Sequence, residues 1–248
     1  MASNNQPAAP ILSEARKNFK VSKKEIENLL EMHAEMEGEQ SGQAGRRPDR
    51  LQVLHRAAII MITACWEAYL EILFREAVKW LLDHSDDPQR MSHDMKAYAC
   101  EKIRENKDKG FVWKFSGNGW KHKLEEYAHE KIDRFNTPST QKINDLFKYL
   151  GFEKLSSCWK WQRMSDEQAA SKLDNYIEIR HKIAHGQRSD NLQLNKTHVE
   201  GYLNHVERLI DETEKEVKKY VEKPINEKET ASGMGRPEKA SGEHMDAS

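Results

Sequence analysis

The segment from Pro48-Asp49 to about His84 constrains the fold more than any other part of this chain. After Pro48 it holds neither glycine nor proline, and its middle is apolar on most sides: Leu54, Ala57, Ala58, Ile60, Met61, Ala64, Ala68, Ile72 and Leu73. Such a run predicts one continuous helix, about 50 Å long at roughly 1.5 Å per residue. A helix that is apolar around most of its circumference has to be covered by other elements, so it belongs at the centre of the protein. Its longest apolar stretch, Ala57 to Ala64, is too short to span a bilayer.

The rest of the chain supplies helices to cover it. Only Pro48, Pro88 and Pro138 fall between Ile11 and Tyr220, and few breakers with long charged periodic runs favour helices over strands. About seven helices are expected. The first runs from Ser13 to Glu37 and ends at a link with Gly38, Gly42 and Gly45. Ser92 is placed to cap a third, ending before Gly110. A charged helix follows from about Gly119 to Phe135. Thr137-Pro138 and Gly151 bracket a fifth, with the proline at its first position. Ser165-Asp166-Glu167-Gln168 is a capping box opening the sixth, and Gly186 closes it. Asn195 opens the last, to about Val221. The expected fold class is therefore all-α: a multi-helix bundle with a long central helix and an inserted helical and loop region at about 107–161. Residues 1–12 and 223–248 lack any apolar period and read as disordered, leaving 13–222 as the helical domain.

The charge balance is even, with 40 Lys and Arg against 41 Asp and Glu. No overall positive field draws the protein to nucleic acid, so any such contact needs a local patch. Cys65, Cys100 and Cys158 are far apart and form no C-x-x-C pair, which points away from a disulfide framework or a cysteine zinc site. The polar N-terminus lacks the apolar core of a signal peptide. A soluble cytoplasmic protein, not a membrane one, is expected.

The sixth helix carries an anomaly. With Arg180 set at zero, Leu173, Tyr176, Ile177, Ile183 and Ala184 all fall within about 60° of it on a helix. A guanidinium at the centre of an apolar stripe needs a partner, a ligand or an interface, because burying it unpaired is costly. On another flank Asp174, Glu178, His181 and His185 recur at spacings of four, three and four, so that the carboxylates are placed to support the imidazoles. A structural ion pair for Arg180 and plain surface roles for the histidines would satisfy the same pattern. A metal held by His181 and His185 would need further ligands, and His198 and His205 are the nearest in sequence. No metal or other cofactor is assigned.

The string Arg180-His181-Lys182-Ile183-Ala184-His185-Gly186 resembles the R-x4-6-H motif of the HEPN superfamily (higher eukaryotes and prokaryotes nucleotide-binding), in which a polar residue typically follows the arginine. The segment Ile60 to Val78, with Trp66-Glu67-Ala68-Tyr69-Leu70, is similar to the long early helix of the RiboL-PSP-like and related branches. The resemblance covers about Asp49 to Tyr220. It implies a metal-independent endoribonuclease acting as a homodimer, often in toxin or antiviral defence systems, where an inhibitor or antitoxin protein would be a further partner. The alternative is a catalytically silent HEPN module that binds RNA, nucleotide or a partner protein; silent domains commonly lose the Arg or the His, and both are present here.

In that chemistry the 2′-OH of RNA is the nucleophile. His185 suits acid or base work and Arg180 the bidentate grip on phosphate, giving 2′,3′-cyclic phosphate and 5′-OH ends. Positions five apart point about 140° apart on a helix, so one copy does not converge on one phosphate. Either His185 lies on an unwound final turn, or two copies meet across a dimer axis. For RNA itself, Lys107, Lys109, Lys114, Lys121 and Lys123 are interleaved with Phe111, Trp113, Phe115 and Trp120, of which Trp113 and Trp120 are the candidate stacking platforms. Trp159, Lys160, Trp161 and Arg163 form a second such group.

Overall fold

The computed structural model describes residues 12–38, 49–186 and 194–222. Most of the Gly-rich link and nearly all of the two terminal segments read as disordered lie outside these residues. The described chain forms seven α-helices: α1 (Glu14–Gly38), α2 (Asp49–Asp83), α3 (His93–Glu105), α4 (Gly119–Asp133), α5 (Thr140–Lys148), α6 (Asp166–Ala184) and α7 (Lys196–Glu222). Short 3₁₀ turns lie at Pro88–Arg90, Lys109–Phe115 and Leu155–Cys158. The described residues contain no strand, only an isolated bridge between Trp161 and Met164.

Local sequence sets most helix ends. The Ser92 hydroxyl accepts the Met95 N–H at 3.0 Å, and Asn195 Oδ1 accepts the His198 N–H at 2.9 Å. Ser165 and Gln168 satisfy each other's backbone N–H groups, completing the capping box at the start of α6. The fifth helix departs from expectation. Its cap is Ser139, whose hydroxyl faces the Lys142 N–H, and helical geometry begins at Thr140. Pro138 sits ahead of the helix because Thr137 before it adopts a φ of +57°, which turns the chain before α5 can start.

Side chains from four helices cover α2. Ile59, Ile62, Trp66, Tyr69, Leu70, Leu73 and Phe74 are fully buried. They lie in one core with Phe19 and Ile26 of α1, Leu124 and Tyr127 of α4, Leu173 and Ile177 of α6, and Tyr202 and Val206 of α7. Each large apolar side chain removed from water contributes about 1.5–3 kcal/mol. By length and composition Gln52–Asp83 would cross a membrane, with a mean hydropathy of 1.7 in its most apolar window, but 56% of that window is buried inside the protein. Counting only unbroken apolar residues understated this segment, since single polar residues such as Thr63 do not offset their neighbours. One strip of α2 stays open: Val53 is 63% exposed, Ile60 is 38% exposed, and Ala64 is also exposed.

Charged groups fix the covering helices. Glu76 of α2 accepts the Glu14 and Ala15 N–H groups at 2.9 and 3.1 Å, a carboxylate at the positive end of α1. Arg16 pairs with Asp211 at 2.8 Å and Glu214 at 2.6 Å, and Lys23 pairs with Glu207 at 2.5 Å, tying α1 to α7.

His205 of α7 is buried, and its Nε2–H donates to the Ala169 carbonyl at 3.0 Å. Burial pushes its pKa down to about 4, against the opposing pull of that bond and with Lys172 adding to the depression. The folded protein therefore holds His205 neutral while the unfolded chain protonates it near 6.5. The resulting stability is complete above about pH 6.5 and is lost as the pH falls toward 4. In melting curves from pH 7 to 4.5, His205→Gln is expected to flatten the decline in Tm relative to the wild-type chain.

Candidate active site

Arg180 lies three residues beyond the buried Ile177 and three before the half-buried Ile183, where the apolar stripe of α6 emerges to water. The stripe is buried at Leu173 and Ile177, half-buried at Tyr176 and exposed at Ala184. Arg180 is accordingly half-buried rather than sealed in the core, which lowers the desolvation that its place in the sequence suggested. Among the described residues its guanidinium has no hydrogen bond and no ion pair. Its electrostatic neighbours are Glu67 of α2 and the Tyr202 hydroxyl of α7. The Tyr202 ring stacks on Tyr176 with centroids 4.1 Å apart. Its hydroxyl meets Thr63 Oγ1 at 3.0 Å, and because the Thr63 hydrogen goes to the Ile59 carbonyl, Tyr202 is the donor. These contacts join α2, α6 and α7 beside Arg180.

His185 is the last residue of α6 in hydrogen-bond terms: its N–H donates to the His181 carbonyl at 3.0 Å. The left-handed turn comes only at Gly186, with a φ of +67°. The final turn is thus not unwound, and within one chain His185 stays on a different flank from Arg180. It lies beside His181, the two exposed rings 4.2 Å apart. The expected carboxylate support is engaged elsewhere. Asp174 Oδ1 accepts the Thr140 N–H at 2.8 Å at the start of α5, and Glu178 pairs with Lys182 at 3.5 Å. No third His, Cys, Asp or Glu joins the two histidines in a metal-holding group among the described residues. His205, one of the two suggested additional ligands, is committed to Ala169.

Glu67 is the site residue that sequence reasoning passed over, although it stands within Trp66-Glu67-Ala68-Tyr69-Leu70. The available signal was its position as the first acid after Asp49 in the most apolar helix of the chain. It is half-buried, and Oε2 accepts the Thr137 N–H at 3.2 Å. Burial raises its carboxyl pKa above the ordinary value; the Thr137 amide opposes this, Glu71 adds to it, and Arg180 and Lys142 oppose it. Thr137 is a β-branched residue at φ +57°, a conformation that costs roughly 1–2 kcal/mol. Lys142 Nζ braces the same loop by donating to the Asn136 carbonyl at 2.8 Å.

The proposed RNA-contact residues divide. Trp113 is 77% exposed and Val112 48% exposed, on the 3₁₀ turn ahead of α4. Lys107, Lys109 and Lys114 are exposed and form no ion pair among the described residues. Lys121 is drawn to Asp86 at 3.8 Å and Lys123 to Glu126 at 2.5 Å. Trp120 is a correction: it is only 6% exposed and packs in the core, so it has no face to offer a base. In the second group, Trp159 is fully buried and its Nε1–H donates to Thr213 Oγ1 at 2.9 Å, while Trp161 packs at 5.6 Å from His205.

A family model described as RiboL-PSP-HEPN matches residues 18–219. The chain belongs to this family. The match begins within α1, so the HEPN region includes the first helix as well as the segment from Asp49 onward, and it encloses both Arg180 and His185. As a RiboL-PSP-HEPN protein the chain is a HEPN-type nuclease or RNA-binding module. No curated protein and no solved structure matches it.

The Asp174 bond to the start of α5 makes that residue structural. Asp174→Ala is expected to cost about 1 kcal/mol, as loss of a capping interaction does, and to lower Tm by roughly 2–4 °C in calorimetry. Glu178→Ala, which removes only an exposed pair with Lys182, should leave Tm within experimental error.

Proposed function

We propose that the chain is a metal-independent endoribonuclease of the cytoplasm, working as a homodimer and serving as a growth-arrest or antiviral effector. The observation that carries the enzymatic reading is the half-buried Arg180 guanidinium at the surface end of an apolar stripe, with no ion pair among the described residues and the His181–His185 pair close by on the same helix. A guanidinium already positioned by the fold, with no hydrogen bond to a carboxylate among the described residues, is ready for the bidentate grip on a phosphate. The cellular role rests on the usual setting of HEPN domains.

The intact last turn of α6 favours the two-copy arrangement, in which Arg180 of one protomer works with the partner's His185. A two-fold axis makes such a composite site natural. The open strip of α2 offers the means of association: Val53, Ile60 and Ala64, with the half-buried Ala57 among them, recur at helical spacing and lead directly to Glu67 beside Arg180. At the other end of α2, the Trp113 platform with Lys107, Lys109 and Lys114 suits a single strand that stacks its bases. Asp83, at that end, lies about 24 Å along the helix from Glu67 at the usual rise per residue, so this contact would grip RNA away from the scissile bond.

Purified protein should cut RNA in the presence of EDTA and leave cyclic phosphate at the 3′ ends. His185→Ala and Arg180→Ala should each abolish cutting, the former with Tm nearly unchanged. A mixture of the two variants, shown by mass to contain heterodimers, should regain one working site per dimer; no regain would remove the shared site. Binding without cleavage by the wild-type chain would make it a silent module, and a need for added divalent metal would revive the His181–His185 metal reading.

Trp113→Ala is expected to weaken single-stranded RNA binding by about 1–3 kcal/mol for each base it stacks. That is roughly 5-fold to 150-fold in Kd, with cleavage of saturated substrate unchanged. Equal affinity in a filter-binding titration would remove Trp113 from the substrate surface.

A further inference from the structure

We propose that the Glu67 carboxylate is the general base of this site, taking the proton from the 2′-OH that attacks the scissile phosphate. The inference rests on the ribonuclease reading above and adds a group to it. Cleavage of this kind needs a base for the nucleophile and an acid for the leaving group. Arg180 stays protonated and serves as neither, and a single imidazole can take only one of the two roles at a time. Of the nearby acids, Asp174 and Glu178 are exposed on α6 and Glu71 pairs with Arg75. Glu67 is half-buried and faces Arg180.

Its geometry fits the task. Oε2 is anchored by the Thr137 N–H at 3.2 Å, while Oε1 has no hydrogen-bond partner among the described residues. One oxygen is fixed and the other is left for a substrate hydroxyl, on the side of α2 that meets Arg180. The anchor comes from a β-branched residue held at φ +57°. Such strain persists only where the surroundings impose it, and it clusters at working sites. The groups facing the carboxylate are Glu71 on its own helix, Arg180 on α6, Lys142 on α5 and the Thr137 amide. With burial as the largest influence, the balance leaves a carboxylate more basic than usual, closer to what proton abstraction near neutral pH requires.

The step balances as follows. The 2′-OH proton passes to Glu67 Oε1 as the 2′-oxygen bonds to phosphorus, and Arg180 holds the non-bridging oxygens. The bond from phosphorus to the 5′-oxygen breaks, and that oxygen takes a proton from the imidazolium of the partner's His185. Glu67 ends protonated and the partner's His185 neutral, and exchange with water restores both.

The test is Glu67→Gln, which keeps an oxygen for the Thr137 N–H but cannot accept a proton. The kcat for RNA cleavage should fall by about 100-fold or more, with RNA affinity and Tm close to those of the wild-type chain. The wild-type pH profile should decline on its acidic side, where Glu67 is protonated, and the residual activity of Glu67→Gln should lose that decline. Added formate should restore part of the rate to Glu67→Ala and none to His185→Ala. A Glu67→Gln chain that cuts within a few-fold of an active wild-type chain overturns the base role and leaves the ribonuclease reading standing. So does one that is slowed but keeps the acidic decline, or a folded Glu67→Ala chain that formate does not help. A wild-type chain that leaves RNA intact overturns both.

Discussion

A 35-residue helix with apolar side chains around most of its circumference has more surface to cover than any one neighbour can reach. The hydrophobic effect draws α1, α4, α6 and α7 onto α2, but it is non-directional and does not say where along the stem each should sit. The few polar groups on α2 supply that information, because a buried polar atom without a partner is costly. Glu76 receives the first N–H groups of α1, Thr63 receives the Tyr202 hydroxyl of α7, and Glu67 receives the Thr137 amide ahead of α5. Three polar positions on one apolar stem thus set the register of three neighbours, and the placement of Arg180 follows from two of them.

Features that depend on a few consecutive residues were legible in the sequence. Ser92, Ser165 with Gln168, and Asn195 cap helices wherever the rest of the fold lies, because their partners are two or three residues away. Gly186 ends α6 for the same local reason. Pro138 lies two positions ahead of the first residue of the helix, because its neighbour Thr137 turns the chain at a positive φ, with its N–H held by Glu67, 70 residues earlier. Trp113 and Trp120 share the same lysine-rich surroundings in the sequence, yet one is exposed and the other lies in the core. Only the packing of α4 against α2 separates them.

The same division holds at the site. Helical periodicity placed Arg180 in an apolar stripe and His185 on another flank. It could not give the depth of the stripe, which ends at the surface beyond Ile177, nor the commitments of Asp174 and Glu178 to Thr140 and Lys182. Glu67 escaped notice because its interest comes from α6 and the loop before α5, both over 60 residues away in the chain.

The ties between the two ends of the bundle have a consequence for how the protein comes into being. Arg16 is joined to Glu214 across a separation of 198 residues, and Lys23 to Glu207 across 184. Tyr202, an electrostatic neighbour of Arg180, also lies on α7. A chain emerging from the ribosome therefore presents Arg180 and His185 before the helix that steadies them exists, and its central stem is open along the face that α7 will close. Contacts so distant in sequence form late. Whatever this surface does to nucleic acid, a half-made copy is poorly equipped to do it, and the cell that synthesises the protein meets the finished arrangement only once α7 has emerged.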